Sequence, residues 1–234
     1  TSIREIDFLE PFFYKRIFPN DKLFDFVLLD LGFNSMQLKD NKKGLSFNLK
    51  DSELDMRYDT NNFDIAKGHD ILNNCSEIEL MDIFRTFGDE KNYEPLVKNI
   101  VLFRDTRRFH SVEDFLNVID KTYKAHSKDI YNVYTRLFQA LRIAVNYEIF
   151  NIKRFLNRCF ACIEDGAIIA IITFHSLEDG IVKKFFKELE NREIGKMIYK
   201  PAIKPSKIEL DENSRSHSAM LRVFVHSKHK LNSN

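Results

Sequence analysis

Asp30 and His175 each close an apolar run, FDFVLLD over residues 24–30 and AIIAIITFH over 167–175. A carboxylate at the end of one such run can hold a ligand, and an imidazole at the end of another can take or give a proton near neutral pH. Gly32, Asn34, Ser35 and Gln37 follow the first run and Ser176 follows the second, so hydroxyls and amides gather at both places. His175 beside Ser176 raises the possibility of a hydrolytic triad. The G-x-S-x-G elbow of such enzymes is missing, however, and Ser176-Leu-Glu-Asp179 reads more simply as a capping box with Ser176 as N-cap. His175, exposed at the end of its strand, is then the better functional candidate.

A second chemistry lies in LFRDTRRFH, residues 102–110, where Arg104, Arg107 and Arg108 alternate with Phe103, Phe109 and His110. Cations for phosphates and rings for bases suit RNA, although a solvated basic helix end would read the same way. Gln139, Arg142 and Asn146 fall at i, i+3 and i+7 and form a polar stripe between apolar flanks, which points to a second layer or a cleft. LDMRYD (54–59) and SRSHSAMLRVF (214–224) group acids with Arg57, Arg215 and Arg222. Cys159 and Cys162 share a helix face with Leu156 and Ile163, and with only Cys75 besides they complete neither a disulfide framework nor a zinc site. They read as core, in a reducing compartment, and no metal is expected.

These groups need elements to position them. The apolar run ending at Asp30 reads as a strand buried on both faces of a parallel sheet, and AIIAIITF after the Asp165-Gly166 turn and MLRVFVH (220–226) read as further strands. Between the first two lies a stretch of mostly helical pattern, far longer than one crossover needs. An inserted helical subdomain over 40–136 follows, within a sheet domain of 1–39 and 137–234. EIELMDIFRTFG (77–88) ends on a glycine, and Ser111-Val-Glu-Asp114 opens another helix. Residues 132–165 carry one apolar period and read as a single long helix. Residues 200–218 read as a loop.

Composition narrows the classes. The chain has 234 residues, 44% hydrophobic and 30% charged, which describes a folded protein able to bury a sizeable core. Lys plus Arg number 36 against 35 acids, so nucleic-acid binding must come from a local patch. No apolar run approaches a transmembrane length, and no secretory or transit pattern opens the chain. An opening without Met points to a fragment. The 7 glycines include no G-x-G pair, which excludes a phosphate-cradling glycine loop within these residues.

The stretches LLDLGFNSMQL, GLSFNLKDSELDMRYD, TRLFQALRIAVNYEI, TFHSLEDGIVKKFF and SRSHSAMLRVF, in this order, resemble the ribosomal RNA small-subunit methyltransferase H family (RsmH, formerly MraW). That resemblance implies an α/β fold, a class I S-adenosylmethionine-dependent methyltransferase (Rossmann-like) sheet with a helical insert. It also implies N4-methylation of a cytosine in the decoding centre of 16S-type small-subunit ribosomal RNA. By the same carry-over Phe8, Asp30 and Gln37 match positions that contact S-adenosyl-L-methionine, with Asp30 at its methionine end and Phe8 near its adenine.

The family's glycine-rich loop has no counterpart here, so the expected sheet is N-terminally truncated. A non-catalytic RNA-binding or ribosome-assembly module is the alternative. Phe33-Asn34-Ser35-Met36-Gln37 replaces the family's V-S-S-P-Q, and Asn213-Ser214-Arg215 its N-P-R. For catalysis the chain must align the cytosine amine with the methyl group and draw its lone pair out of conjugation. Asn34, with Ser35 and His175 as alternatives, is the candidate acceptor. Arg104, Arg107, Arg108, Arg142 and Asn146 are the candidate RNA contacts. The expected setting is the bacterial cytoplasm or an organelle matrix.

Overall fold

The computed structural model describes residues 23–32, 43–123 and 129–227. They form two compact units, one of residues 23–32 with 149–227 and the other of the described residues from 43 to 148. Phe8, Asn34, Ser35 and Gln37 lie outside the described residues.

In the first unit β1 (Phe24–Asp30), β2 (Ile163–Thr173), β3 (Gly195–Met197) and β4 (Met220–His226) make a sheet of order β1-β2-β4-β3. β1 runs parallel to β2, and β4 is antiparallel to both β2 and β3. Three strands therefore point one way, with the reversed β4 between two of them. The mixed α/β architecture expected from the sequence is present. A parallel pair needs a long crossover, and between β1 and β2 that crossover carries the whole helical unit.

Ile169, Ile171, Thr173 and Phe224 are buried on one face of the sheet. There α7 (Ser176–Asn191) packs with Val182, Phe186 and Leu189 inward, the Phe186 ring stacked on Phe224 at 5.0 Å. The opposite face is open at Phe26 (54% exposed) and at Leu28 (57%). Burial of β1 on both faces is thus corrected. Apolar runs report the chance to be covered, and among the described residues β1 is an edge strand whose Phe26 and Leu28 face remains bare.

Three further readings change. β2 begins at Ile163, and Gly166 (φ 84°) is an irregularity inside it, because the pairing slips between Phe24↔Ile163 and Phe26↔Ile168. The single helix over 132–165 is two, α5 (Ile130–Val145) and α6 (Glu148–Cys159), with Tyr147 left-handed at φ 51° between them. A short 3₁₀ turn over Phe160–Cys162 then leads into β2. The loop over 200–218 contains α8 (Lys207–Glu212) and a 3₁₀ turn over Ser214–Ser218. The Ser206 hydroxyl accepts the Glu209 amide at 3.2 Å, so Ser-x-x-Glu was the overlooked signal.

The helical unit holds α1 (Gly68–Asn74), α2 (Glu77–Gly88), α3 (Tyr93–Thr106), α4 (Val112–Tyr123) and α5. Their apolar stripes meet in a core that includes Leu80, Phe84, Ile100, Phe115, Leu137 and Leu141. The expected capping box opens α4: Ser111 Oγ accepts the Asp114 amide, and Asp114 accepts the amides of His110 and Ser111 at 2.9 Å. α2 ends at Gly88 as its sequence predicts. A Cβ there would stand 3.2 Å from Ala140 Cβ, so the glycine also permits a close approach to α5. No helix among the described residues is long and apolar enough to cross a membrane.

Candidate functional site

In the sheet unit, Asp30 pairs in register with Ile172, and the Leu31 amide donates to the Ile172 carbonyl at 3.1 Å. Both strands therefore end at the same edge, with Asp30 on one and Phe174-His175 on its neighbour. This is the edge where open α/β sheets hold ligands. Asp30 is exposed. Gly32 follows at φ 97°, a conformation that turns the chain off the edge at little cost only for glycine.

His175 sits otherwise than the sequence predicts. It is the N-cap of α7 itself, half-buried rather than exposed, and its Nδ1 accepts the Glu178 amide at 3.4 Å. Ser176, the expected N-cap, is the first helical residue. The cap moves back one residue because an imidazole nitrogen accepts as a hydroxyl would. Since Nδ1 accepts, Nε2 carries the proton. It lies 3.2 Å from Glu178 Oε1 without hydrogen-bond alignment.

Glu178 and Asp179 are both buried in the first turn of α7. The Glu178 carboxylate accepts the Phe174 amide at 2.8 Å, tying the end of β2 to the first turn of the helix. Asp179 takes a two-pronged ion pair from Arg222 on β4, with Nε at 2.7 Å and Nη2 at 2.8 Å. That pair fixes α7, and with it His175, against the sheet. Arg222 looked in sequence like one charge of a polar stretch. Its place between apolar β-strand residues was the available sign of burial.

In the helical unit a second polar assembly forms around LDMRYD. Met56 is fully buried with a left-handed φ of 66°, which curls Arg57 back on Asp55. Arg57 Nε and Nη2 reach the two Asp55 oxygens at 2.7 and 2.9 Å, and Arg57 Nη1 donates to the Asn62 carbonyl. Burial works to raise the Asp55 carboxyl, but the Arg57 hydrogen bonds and charge, with Lys67, outweigh it and hold the group below its usual range.

Asn146 staples this loop to the end of α5. Its Oδ1 accepts the Tyr58 amide at 2.8 Å, and its Nδ2 donates to the Met56 carbonyl at 2.9 Å and to the Arg142 carbonyl at 3.0 Å. Glu148 gathers the Tyr58 hydroxyl at 2.9 Å and the Arg142 guanidinium at 2.8 and 3.1 Å. The polar stripe therefore faces a second layer, as its apolar flanks imply. Tyr58 and Glu148 were not singled out from spacing, since they lie 90 positions apart in the chain, and Asp55 with Arg57 read only as charges in a loop.

The basic cluster divides. Arg104 is half-buried and donates to the carbonyls of Leu72 and Cys75. Arg107 is largely exposed and rests on the buried Asp114 at 3.0 Å. Burial raises the Asp114 carboxyl, while the Ser111 and His110 amides, the Ser111 hydroxyl and Arg107 bring it below its usual range. Arg108, also exposed, reaches the Asn73 carbonyl and Asn74 Oδ1. Arg107 and Arg108 thus offer their charge to solvent, whereas Arg104 and Arg142 reach partners inside the fold. Burial and the nearby Cys162 push the Cys159 thiol up to about 12, and both cysteines are buried as expected.

The profile described as the MraW methylase family matches residues 12–227. The chain is similar to proteins named ribosomal RNA small subunit methyltransferase H. The one from Dictyoglomus thermophilum is 41% identical over 204 residues, covering 87% of this chain and 66% of that protein. Its namesake in Chlamydia trachomatis serovar L2 is 38% identical over 210 residues, 89% and 69% of the two chains. For Desulfotalea psychrophila the identity is 37% over 201 residues, 85% and 66%. The chain spans about two thirds of the length of these curated relatives.

Proposed function

The chain belongs to the MraW methylase family, and from that premise we propose that it is an S-adenosyl-L-methionine-dependent methyltransferase acting on small-subunit ribosomal RNA, with the N4 amine of a decoding-centre cytosine as acceptor. The family match over most of the chain carries the reading. The parallel β1–β2 pair, which brings Asp30 and His175 to one sheet edge, supports it.

The cofactor would supply an electrophilic methyl group on a sulfonium. Asp30 fits its methionine end, because its carboxylate is exposed and makes no ion pair with any described residue. Gln37 is proposed beside it, and Phe8 near the adenine. The work left to the protein is alignment and charge stabilisation. Asn34 is proposed to accept a hydrogen bond from the cytosine amine and so turn its lone pair toward the methyl group, with Ser35 as a second acceptor. His175 would shape the neighbouring wall, its ring already fixed by Glu178. The base must be flipped or single-stranded to enter. Arg107 and Arg108, the exposed pair, would meet RNA phosphates, and such a substrate would put the work in the bacterial cytoplasm or an organelle matrix.

The test is transfer of labelled methyl groups to small ribosomal subunits, followed by nucleoside analysis. N4-methylcytidine is expected, with turnover reduced far more than cofactor affinity in Asn34→Ala. RNA binding without any methyl transfer would refute the catalytic reading in favour of a non-catalytic module.

A further inference from the structure

A second group of ligating side chains lies within the helical unit, apart from the residues used above. Backbone hydrogen bonds pin three separate segments together: the Leu54 amide donates to the His110 carbonyl, the His69 amide to the Leu54 carbonyl, and the Gly68 amide to the Asp55 carbonyl, at 2.7 to 2.9 Å. Glu53, His69 and His110 are thereby brought to one place, with one ligating atom from each lying within 4.8 Å of the others. The rings of His69 and His110 are 5.6 Å apart.

The two nitrogens of His69 do different things. Nδ1 lies 3.2 Å from Asp70 Oδ1, while Nε2 lies 3.0 Å from Glu53 Oε1. Without metal the Nε2–H donates to Glu53; a divalent cation can take the place of that proton between the two atoms, with Nδ1–H left to face Asp70. A carboxylate behind a histidine, fixing its tautomer and raising its basicity, is the usual support of a metal-bound imidazole. Two ligands of a tetrahedral zinc ion stand about 3.3 Å apart, close to the observed separation. Burial raises the Glu53 carboxyl, but Lys67 and His69 outweigh it and keep it anionic.

We propose that Glu53 Oε1, His69 Nε2 and His110 form a binding site for a borderline divalent cation of the zinc type, supported by Asp70 and open to solvent on the His110 side. Two imidazoles and one carboxylate are a three-ligand set that leaves a position for water. Lys67 is the built-in competitor. Its ammonium lies 2.6 Å from Glu53 Oε1 and 3.9 Å from Asp55 Oδ2, so it can withdraw to Asp55 when a divalent ion takes its place. The site does not depend on the methyl-transfer reading.

The experiment is calorimetric titration of the purified chain with zinc chloride near neutral pH, paired with thermal unfolding of each variant without metal. One ion per chain is expected, with affinity falling at least tenfold in His69→Gln and in His110→Ala, and about 10- to 100-fold in Asp70→Asn. Lys67→Met should bind the ion more tightly than the parent, an outcome that a merely structural lysine does not give. His110 is exposed, so His110→Ala is expected to unfold at the parent's temperature. Absence of binding would overturn the proposal. So would zinc held equally well by both histidine variants, which would place it on the thiols, or weaker binding by Lys67→Met.

Discussion

Replacing Asn146 by Ala tests whether the helical unit hangs on the staple between α5 and the Asp55–Tyr58 loop. The Asn146 side chain bonds Tyr58 N, Met56 O and Arg142 O among the described residues, and the residue is 9% exposed. The Arg142 carbonyl still accepts the Asn146 amide at 3.0 Å after truncation, so two backbone groups lose this partner. A buried polar group deprived of its partner costs about 1–3 kcal/mol, and two together about 2–6 kcal/mol. Relaxation of the left-handed Met56 returns roughly 1 kcal/mol of strain, leaving a net loss of about 3 kcal/mol. In urea, at roughly 2 kcal/mol per molar, the unfolding midpoint of the unit falls by about 1.5 M with the slope unchanged. Hydrogen exchange should show the Tyr58 amide losing protection first. Gln139→Ala, on the same stripe, should stay within about 0.5 kcal/mol. Should Asn146→Ala stay within that same margin, the staple carries no stability and the reasoning is wrong.

Arg222→Met removes one partner of a buried ion pair and should destabilise the sheet unit by about 3–5 kcal/mol in chemical unfolding, whereas Arg222→Met with Asp179→Leu recovers much of the loss; equal losses would refute the coupling. Asp55 and Asp114 are both held below their ordinary values, so the unfolded chain binds protons more readily than the fold. Their stabilisation is complete above about pH 5 and drains as the pH drops below 3.8, a loss that Asp55→Asn should make less steep in acid titrations followed by circular dichroism. Neutralising Arg107 and Arg108 to Gln should weaken RNA binding across sequences and reduce the slope of log affinity against log salt by roughly 1 for each phosphate left without its cation. An unchanged slope would remove them from the RNA surface.

The sequence by itself determined the elements whose signals are local. FDFVLLD and AIIAIITF had to be strands, because apolar β-rich runs bounded by turn residues have few other fates. Ser111–Asp114 and Gly88 marked helix ends through hydrogen bonds that form within one turn. The resemblance carried by motif stretches in order reached the family. What tertiary structure alone decided were matters of who meets whom. The break at Tyr147 was invisible because neither glycine nor proline stands there, and the apolar period runs on across it. His175 displaced Ser176 as the cap, since both can accept the same amide and only the path of the chain chooses between them. Which face of β1 is covered depends on which elements reach it, and alternation in β1 does not record that. Asp179 with Arg222, Asn146 with Met56 and Tyr58, and Glu53 with His69 and His110 are pairings across long stretches of chain. One sequence states the charge of each partner, and only the folded backbone states the distance between them.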